Sequence, residues 1–229
     1  MDDLSNDFYS GKDLSGYTAK VSIKKGNAVI KELVSQVGKD ITLKVPTPRL
    51  WSPDDPFLYD VEVLLMENGK QVDKVGSYFG MRKIAIQKDE KGVERIFLNN
   101  KYTYNLGTLD QGFWPDGLYT APTDEALKFD IEAAKSMGFN TIRKHIKIEP
   151  DRWYFHADKL GMLVWQDMVN PGNDSKEAQI QFEKENKVNI AQLYNHPSIV
   201  TWVLFNEKWG QYDQERLTKW MKGYDPHDW

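Results

Sequence analysis

The sequence predicts two domains of different class: a β-sandwich of the immunoglobulin type over residues 1–88, then strands and helices in alternation over residues 89–229. Three observations lead there. The first part carries short runs that alternate apolar and polar residues, punctuated by Gly, Asn and Pro. The second carries unbroken apolar runs, each followed by a stretch of helical period. Polar residues of the second part gather just after the apolar runs, where parallel β/α folds collect functional groups.

The elements follow in order. "YTAKVSIKK", "NAVIKELVSQ" and "DITLKVPTP" read as strands. "PRLWSPDDPF" holds three prolines and reads as a loop or an edge crossing. "FLYDVEVLLMENGKQVDKVGSYFGMRKIAIQ" supplies further strands, with Asn68-Gly69 as a hairpin turn. From about residue 103 the period changes. "YTYNLGTL" is a short strand. "TDEALKFDIEAAKSMG" is a helix with Thr123 as N-cap, acids in its first turn, Gly138 at its end and Ala126, Leu127, Ile131, Ala134 and Met137 on one face. "FNTIRKHI" is the next strand, and "EPDRWYFHADKLG" a helix with Pro150 in its first turn and Gly161 at its end. "MLVWQDM", "KEAQIQFEKENKVNIAQLYN", "SIVTWVLFNE" and "QERLTKWMKG" complete a β-α-β-α-β-α-β-α order. Such alternation implies a parallel sheet with right-handed crossovers.

Bulk properties narrow the function. The chain has 229 residues with a net charge of −4, so no concentrated basic surface for nucleic acid is expected. No apolar run approaches the roughly 20 residues of a membrane-spanning helix. The start, "MDDLSNDFYSGKDLSG", lacks a secretory pattern, and the compartment is left open, a periplasmic or secreted parent included. Cysteine is absent, which excludes thiol catalysis and Cys-ligated metals. No metal site is expected, since no HExxH-like spacing occurs, and no cofactor, since "TLDQGFWPDG" has neither GxGxxG nor a P-loop. The missing phosphate loop favours a barrel over a nucleotide-binding sheet. Aromatic residues make up 13%, which suits sugar faces as well as core packing.

The strand ends supply the candidate site. Strand one closes near Asp110 and Gln111, strand two on Arg143 and His145, strand three on Gln166 and Asp167, and strand four on Asn206 and Glu207. An acid at a strand mouth beside an amide suits glycoside cleavage, in which one carboxylic acid protonates the leaving oxygen opposite a second carboxylate. A surface Glu in a loop is the plain alternative. His145 reads as a site residue or a hydrogen-bonded wall residue. Asp167 and Asp110 read as sugar contacts or structural acceptors, and Trp209 as an aglycone wall or loop packing. His196, before Pro197, reads as structural, His156 as packing or surface, and Arg152 and Lys159 as solvated helix faces.

Together "LWSPDDPFLYDVEVLL", "YFGMRKI", "DIEAAKSMGFNTIRKH", "ADKLGMLVWQDM" and "NHPSIVTWVLFNEKWG" resemble glycoside hydrolase family 2, which includes β-galactosidases, β-glucuronidases and β-mannosidases. The resemblance spans nearly the whole chain in the family's order. It implies an immunoglobulin-like domain leading into a TIM (β/α)8 barrel, with retention of anomeric configuration. It places the acid/base on Glu207, the amide that contacts the sugar 2-hydroxyl on Asn206, and a sugar-pocket pattern on Asn140 and Arg143, with the histidine displaced to His145. The family's nucleophile, a second Glu after barrel strand seven, has no counterpart here. The resemblance therefore covers the sandwich and about the first four β/α units, the N-terminal half of the barrel, and implies a segment of a larger exo-β-glycosidase. With one carboxylate the segment is expected to be inactive alone. Its two open strand edges are expected to meet the missing remainder of the barrel or a second copy. "DQGFWPDGLYTAPTDE" leans the sugar toward a β-galactoside. The competing reading is a noncatalytic carbohydrate-binding or scaffold protein on the same fold.

Overall fold

The computed structural model describes residues 13–225, so the polar start read for a leader lies mostly outside the described residues. Compact packing separates two units: residues up to Pro48 with Tyr59–Phe79, and Arg49–Leu58 with the chain from Gly80 onward.

The first unit is the immunoglobulin-like part. Strands β1 (Tyr17–Lys25), β2 (Ala28–Gln36), β3 (Tyr59–Glu67) and β4 (Lys70–Phe79) form one antiparallel sheet in the order β2-β1-β3-β4. Their register separates the two faces. One row runs Leu33, Val21, Val63, Val75 across all four strands, and the next runs Lys31, Ile23, Val61, Ser77. The opposite face carries Glu32, Ser22 and Glu62 in register, with Lys20 paired to Glu32 at 2.9 Å and Lys24 to Glu62 at 2.8 Å. Asn68 and Gly69, at φ 48° and 80°, turn β3 into β4 as a two-residue loop of mirror-image type. The expected strand "DITLKVPTP" is corrected: it joins no ladder among the described residues. It keeps the burial period of a strand, with Ile41, Leu43 and Val45 half-buried between exposed Thr42 and Lys44, and Pro46 and Pro48 then remove two donors.

In the second unit, β5 (Ile84–Lys88), β6 (Glu94–Leu98) and β7 (Lys101–Tyr102) form a small antiparallel sheet. Strands β8 (Gly107–Asp110), β9 (Thr141–Lys144), β10 (Leu163–Asp167) and β11 (Ile199–Val203) form a parallel sheet in chain order. Helices α1 (Asp124–Ser136), α2 (Asp151–Leu160) and α3 (Lys176–Leu193) make the crossovers, and α4 (Gln214–Tyr224) follows β11. This is the first half of a TIM barrel. The single strand expected in "YTYNLGTL" is two, β7 and β8, because Asn105 and Leu106 break the run between partners of opposite direction.

The helix signals act as read, except that Met137, expected on the apolar face of α1, caps the helix and is exposed. Thr123 Oγ1 accepts from Ala126 N at 3.1 Å, and Gly161 ends α2 in the left-handed conformation. Pro150 sits one place earlier than expected, as the extended N-cap of α2. Leu127, Ile131, Trp153, Tyr154, Phe182 and Ile190 join Ile142, Val164, Ile199 and Trp202 in the core between helices and sheet. Trp51, from the proline-rich loop, is fully buried in a second cluster with Leu163 and Val200, and its indole donates to the Asp158 carbonyl at 2.7 Å. His196 Nδ1 lies 2.7 Å from the Asp158 carboxylate, the structural role expected of it. No helix among the described residues is long and apolar enough to cross a membrane.

Candidate active site

The candidate residues meet at the carboxyl end of the parallel sheet. From β9, Arg143 reaches across to β10 and grips Asp167 with two parallel bonds, Nε to Oδ1 and Nη2 to Oδ2, both 2.9 Å. This fork-to-fork pairing is the geometry guanidinium and carboxylate favour. Asp167 is buried, so the pair orders a charge that would be costly alone. The same Nη2 donates to Asn206 Oδ1 at 3.0 Å. Asp167, Arg143 and Asn206 thus form a relay across the mouths of three adjacent strands, and Asn206 is left with its amide hydrogens to offer.

Glu207 follows directly. The relay's guanidinium is held charged, above its ordinary range, chiefly by the hydrogen bond with Asp167, and the charge of Glu207 adds to the effect. Glu207 is exposed, and its backbone is left-handed, at φ 47°. Strand four was expected to run to the acid. It ends at Val203, where β10, its neighbour in the ladder, ends at Asp167. Phe205 then turns inward to stack on Phe182 at 5.4 Å, and the acid sits on a turn closed by Trp209 N to the Asn206 carbonyl at 2.9 Å.

His145 stands beside the relay. Gln111 Nε2 lies 2.9 Å from its Nδ1, and its Nε2 faces Asp167 at 3.9 Å. With the amide nitrogen beside Nδ1, the other ring nitrogen is left facing the carboxylate. Trp209 has its ring largely in solvent, 64% exposed, and its carbonyl engaged elsewhere.

Asp110 belongs to a different group. Its Oδ1 accepts from Gly112 N at 2.7 Å and its Oδ2 from Lys144. Lys144 is buried, also pairs with Glu149 at 2.9 Å, and lies 4.3 Å over the Trp153 ring. Lys147, also buried, adds a 3.1 Å contact to Glu149 and donates to the carbonyls of Gly112 and Tyr119 at 2.6 and 2.8 Å. Two lysines and two acids therefore lock the loops after β8 and β9 together. Gln166 is structural: it accepts from Tyr154 at 2.6 Å and donates to the Lys147 carbonyl at 2.8 Å. Asn140, read with Arg143 as one pattern, lies at the amino end of β9, where it bonds Leu106 N at 2.9 Å and the Tyr104 carbonyl at 2.8 Å. Lys147 and Glu149 were not singled out from sequence, since their burial depends on contacts between loops that no local pattern shows. Among the described residues, no group of three or more His, Cys, Asp or Glu is placed to hold a metal ion.

Half a parallel barrel with an amide–acid pair at its fourth strand mouth places the chain among β/α-barrel proteins. Comparison with known proteins makes it specific. Residues 11–82 match the model for glycosyl hydrolases family 2, and residues 94–228 that for the TIM barrel domain of the same family. The chain belongs to glycoside hydrolase family 2. It is 29% identical over 199 residues to a β-galactosidase of Lactococcus lactis, 32% over 200 to a β-glucuronidase of Bacteroides fragilis, and 30% over 220 to β-mannosidase B of Emericella nidulans. These matches cover 82%, 82% and 85% of this chain but only 19%, 26% and 25% of those proteins. In three dimensions it resembles an FMN-binding β-glucuronidase from Facaelibacterium prausnitzii L2-6, with TM-score 0.80 and 27% identity over 95% of this chain and 35% of that one.

Proposed function

We propose that this chain is the central segment of a retaining exo-β-glycosidase in which Glu207 is the general acid/base. The observation that carries the reading is the Asp167–Arg143–Asn206 relay, which presents an oriented amide directly beside an exposed carboxyl group. In the first step Glu207 protonates the leaving glycosidic oxygen while a carboxylate from the rest of the barrel attacks the anomeric carbon. In the second it takes a proton from the water that releases the sugar. The two carboxyl groups of a retaining site stand about 5 Å apart. Asn206 holds a sugar hydroxyl, His145 and Asp167 border the pocket, and Trp209 walls the aglycone side. Asp110 acts through Lys144 on the loops around the pocket.

The sugar we propose is neutral, a β-galactoside. The reading follows "DQGFWPDGLYTAPTDE", and Arg143, Lys144 and Lys147 of this segment are engaged by acids or carbonyls rather than turned to a uronate. In this reading turnover needs a second carboxylate, so glycosidase activity is expected of the full-length protein. Its edge strands β8 and β11 take the remaining barrel strands in the full-length protein, or a second copy when the segment is alone.

The test uses the full-length protein with a panel of aryl and alkyl β-glycosides. Glu207→Gln should lower kcat/KM about 100-fold or more for poor leaving groups and far less for dinitrophenyl glycosides, because only the former need a proton. Equal losses on both would remove Glu207 from the acid role.

A further inference from the structure

The segment that carries Glu207 is held from two sides. Upstream, Arg143 fixes the Asn206 side chain. Downstream, two asparagines from the loop after β10 reach across to the loop after β11. Asn170 Nδ2 donates to the Trp209 carbonyl at 2.6 Å, and Asn173 Nδ2 to the Gly210 carbonyl at 2.9 Å. Both asparagines are almost fully buried, at 5% and 4% exposure, and Asn173 Nδ2 also lies 3.3 Å from Asn170 Oδ1. Gly210 is at φ +55°, and a side chain there would collide with the Pro171 carbonyl and the Asn170 amide. Between the two anchors, Glu207 and Lys208 both occupy the left-handed region, at φ 47° and 66°. Two successive non-glycine residues in that conformation are strained, and such strain persists only where the surroundings impose it.

We propose that Asn170 and Asn173 are positioning residues for the acid: their paired grip on the Trp209 and Gly210 carbonyls imposes the strained turn that aims the Glu207 carboxyl at the leaving oxygen. The inference rests on the assignment of Glu207 as general acid/base. Both asparagine amides are turned to backbone carbonyls rather than to the open strand mouth. The relay fixes where the turn begins and the asparagine clasp fixes where it ends.

Asn170→Asp keeps the shape and replaces the donor with an acceptor facing a carbonyl, so it breaks the grip without opening a cavity. In the full-length enzyme it should lower kcat/KM for alkyl β-glycosides by ~30-fold or more while leaving dinitrophenyl glycosides within ~3-fold, since positioned proton transfer contributes 10²–10⁴-fold. In a Glu207→Gln background the same change should cost nothing further on alkyl substrates, because the two residues act through one proton. Should Asn170→Asp fail to fold, Asn173→Ala, which leaves the stronger bond intact, is expected to show the same selectivity at smaller size. Equal loss on both substrate types, or losses that multiply in the double variant, would make the clasp merely structural and overturn the inference. If Glu207→Gln itself shows no leaving-group selectivity, the acid assignment has failed, and that result is distinct from failure of the clasp.

Discussion

The two sheets of this chain are built by opposite rules. In the antiparallel sheet one face is mostly apolar and the other carries the ion pairs Lys20–Glu32 and Lys24–Glu62, and β2 and β4 are mostly exposed along their length. In the parallel sheet β9, β10 and β11 are buried at nearly every position, with helices supplying the cover. Charge in the first sheet lies at its surface, in part-exposed pairs that solvent screens. Charge in the second is enclosed and must be matched atom for atom. The same chemical groups therefore decorate one region and organise the other.

The largest effect should come from unmatching an enclosed charge. Lys144→Ala strips the cation from between Asp110 and Glu149 and should cost about 3–5 kcal/mol in denaturant unfolding of the second unit. Val75→Ala, at a half-exposed position of β4, should stay within about 0.5 kcal/mol. Similar values for the two would erase the contrast.

Hydrogen exchange should sharpen it. Amides of β10, which is paired on both sides, should exchange ~100-fold or more slowly than those of β2, an edge strand bonded only to β1. Uniform protection across both sheets would show that neither ladder position nor burial by helices sets local stability.

The smallest effect concerns acid. Lys24 and then Lys74 hydrogen-bond Glu62 and hold its carboxyl at about 2, against an ordinary value of 4.5. A depressed folded-state value contributes stability that is complete above the ordinary value and fades as pH falls from about 4.5 toward 2. Protection of β1 and β3 should therefore weaken across that window, and Glu62→Gln or added salt should flatten the response. An unchanged acid profile in Glu62→Gln would assign the loss to other carboxylates.

How far sequence reading reaches follows the same division. The helices were legible because caps and period are local: Thr123, Gly161 and the stripe of Leu127 and Ile131 need only their own neighbours. Asn68-Gly69 was legible for the same reason. "DITLKVPTP" misled because its alternation is real but a ladder needs a partner, which no local pattern supplies. At the site, Arg143, Asp167, Asn206 and Glu207 were legible as polar residues ending apolar runs. Asn140 matched a pattern by spacing, yet its side chain works at the other end of the strand. Asn170 and Asn173 went unread because "NPGN" after a strand looks like any turn; the constraint on Gly210 gives it meaning, and that is a distance between loops about 37 residues apart.

By itself the sequence determined the order of strands and helices, the parallel class of the second sheet and the acid at its fourth mouth, since each depends on side-chain period and chain direction. Only the tertiary structure decided which charges pair. Arg143 went to Asp167 and Asn206, and Lys144 to Asp110 and Glu149, because burial lets a charge persist only where a partner lies within bonding distance, and that distance is set by how strands stack side by side.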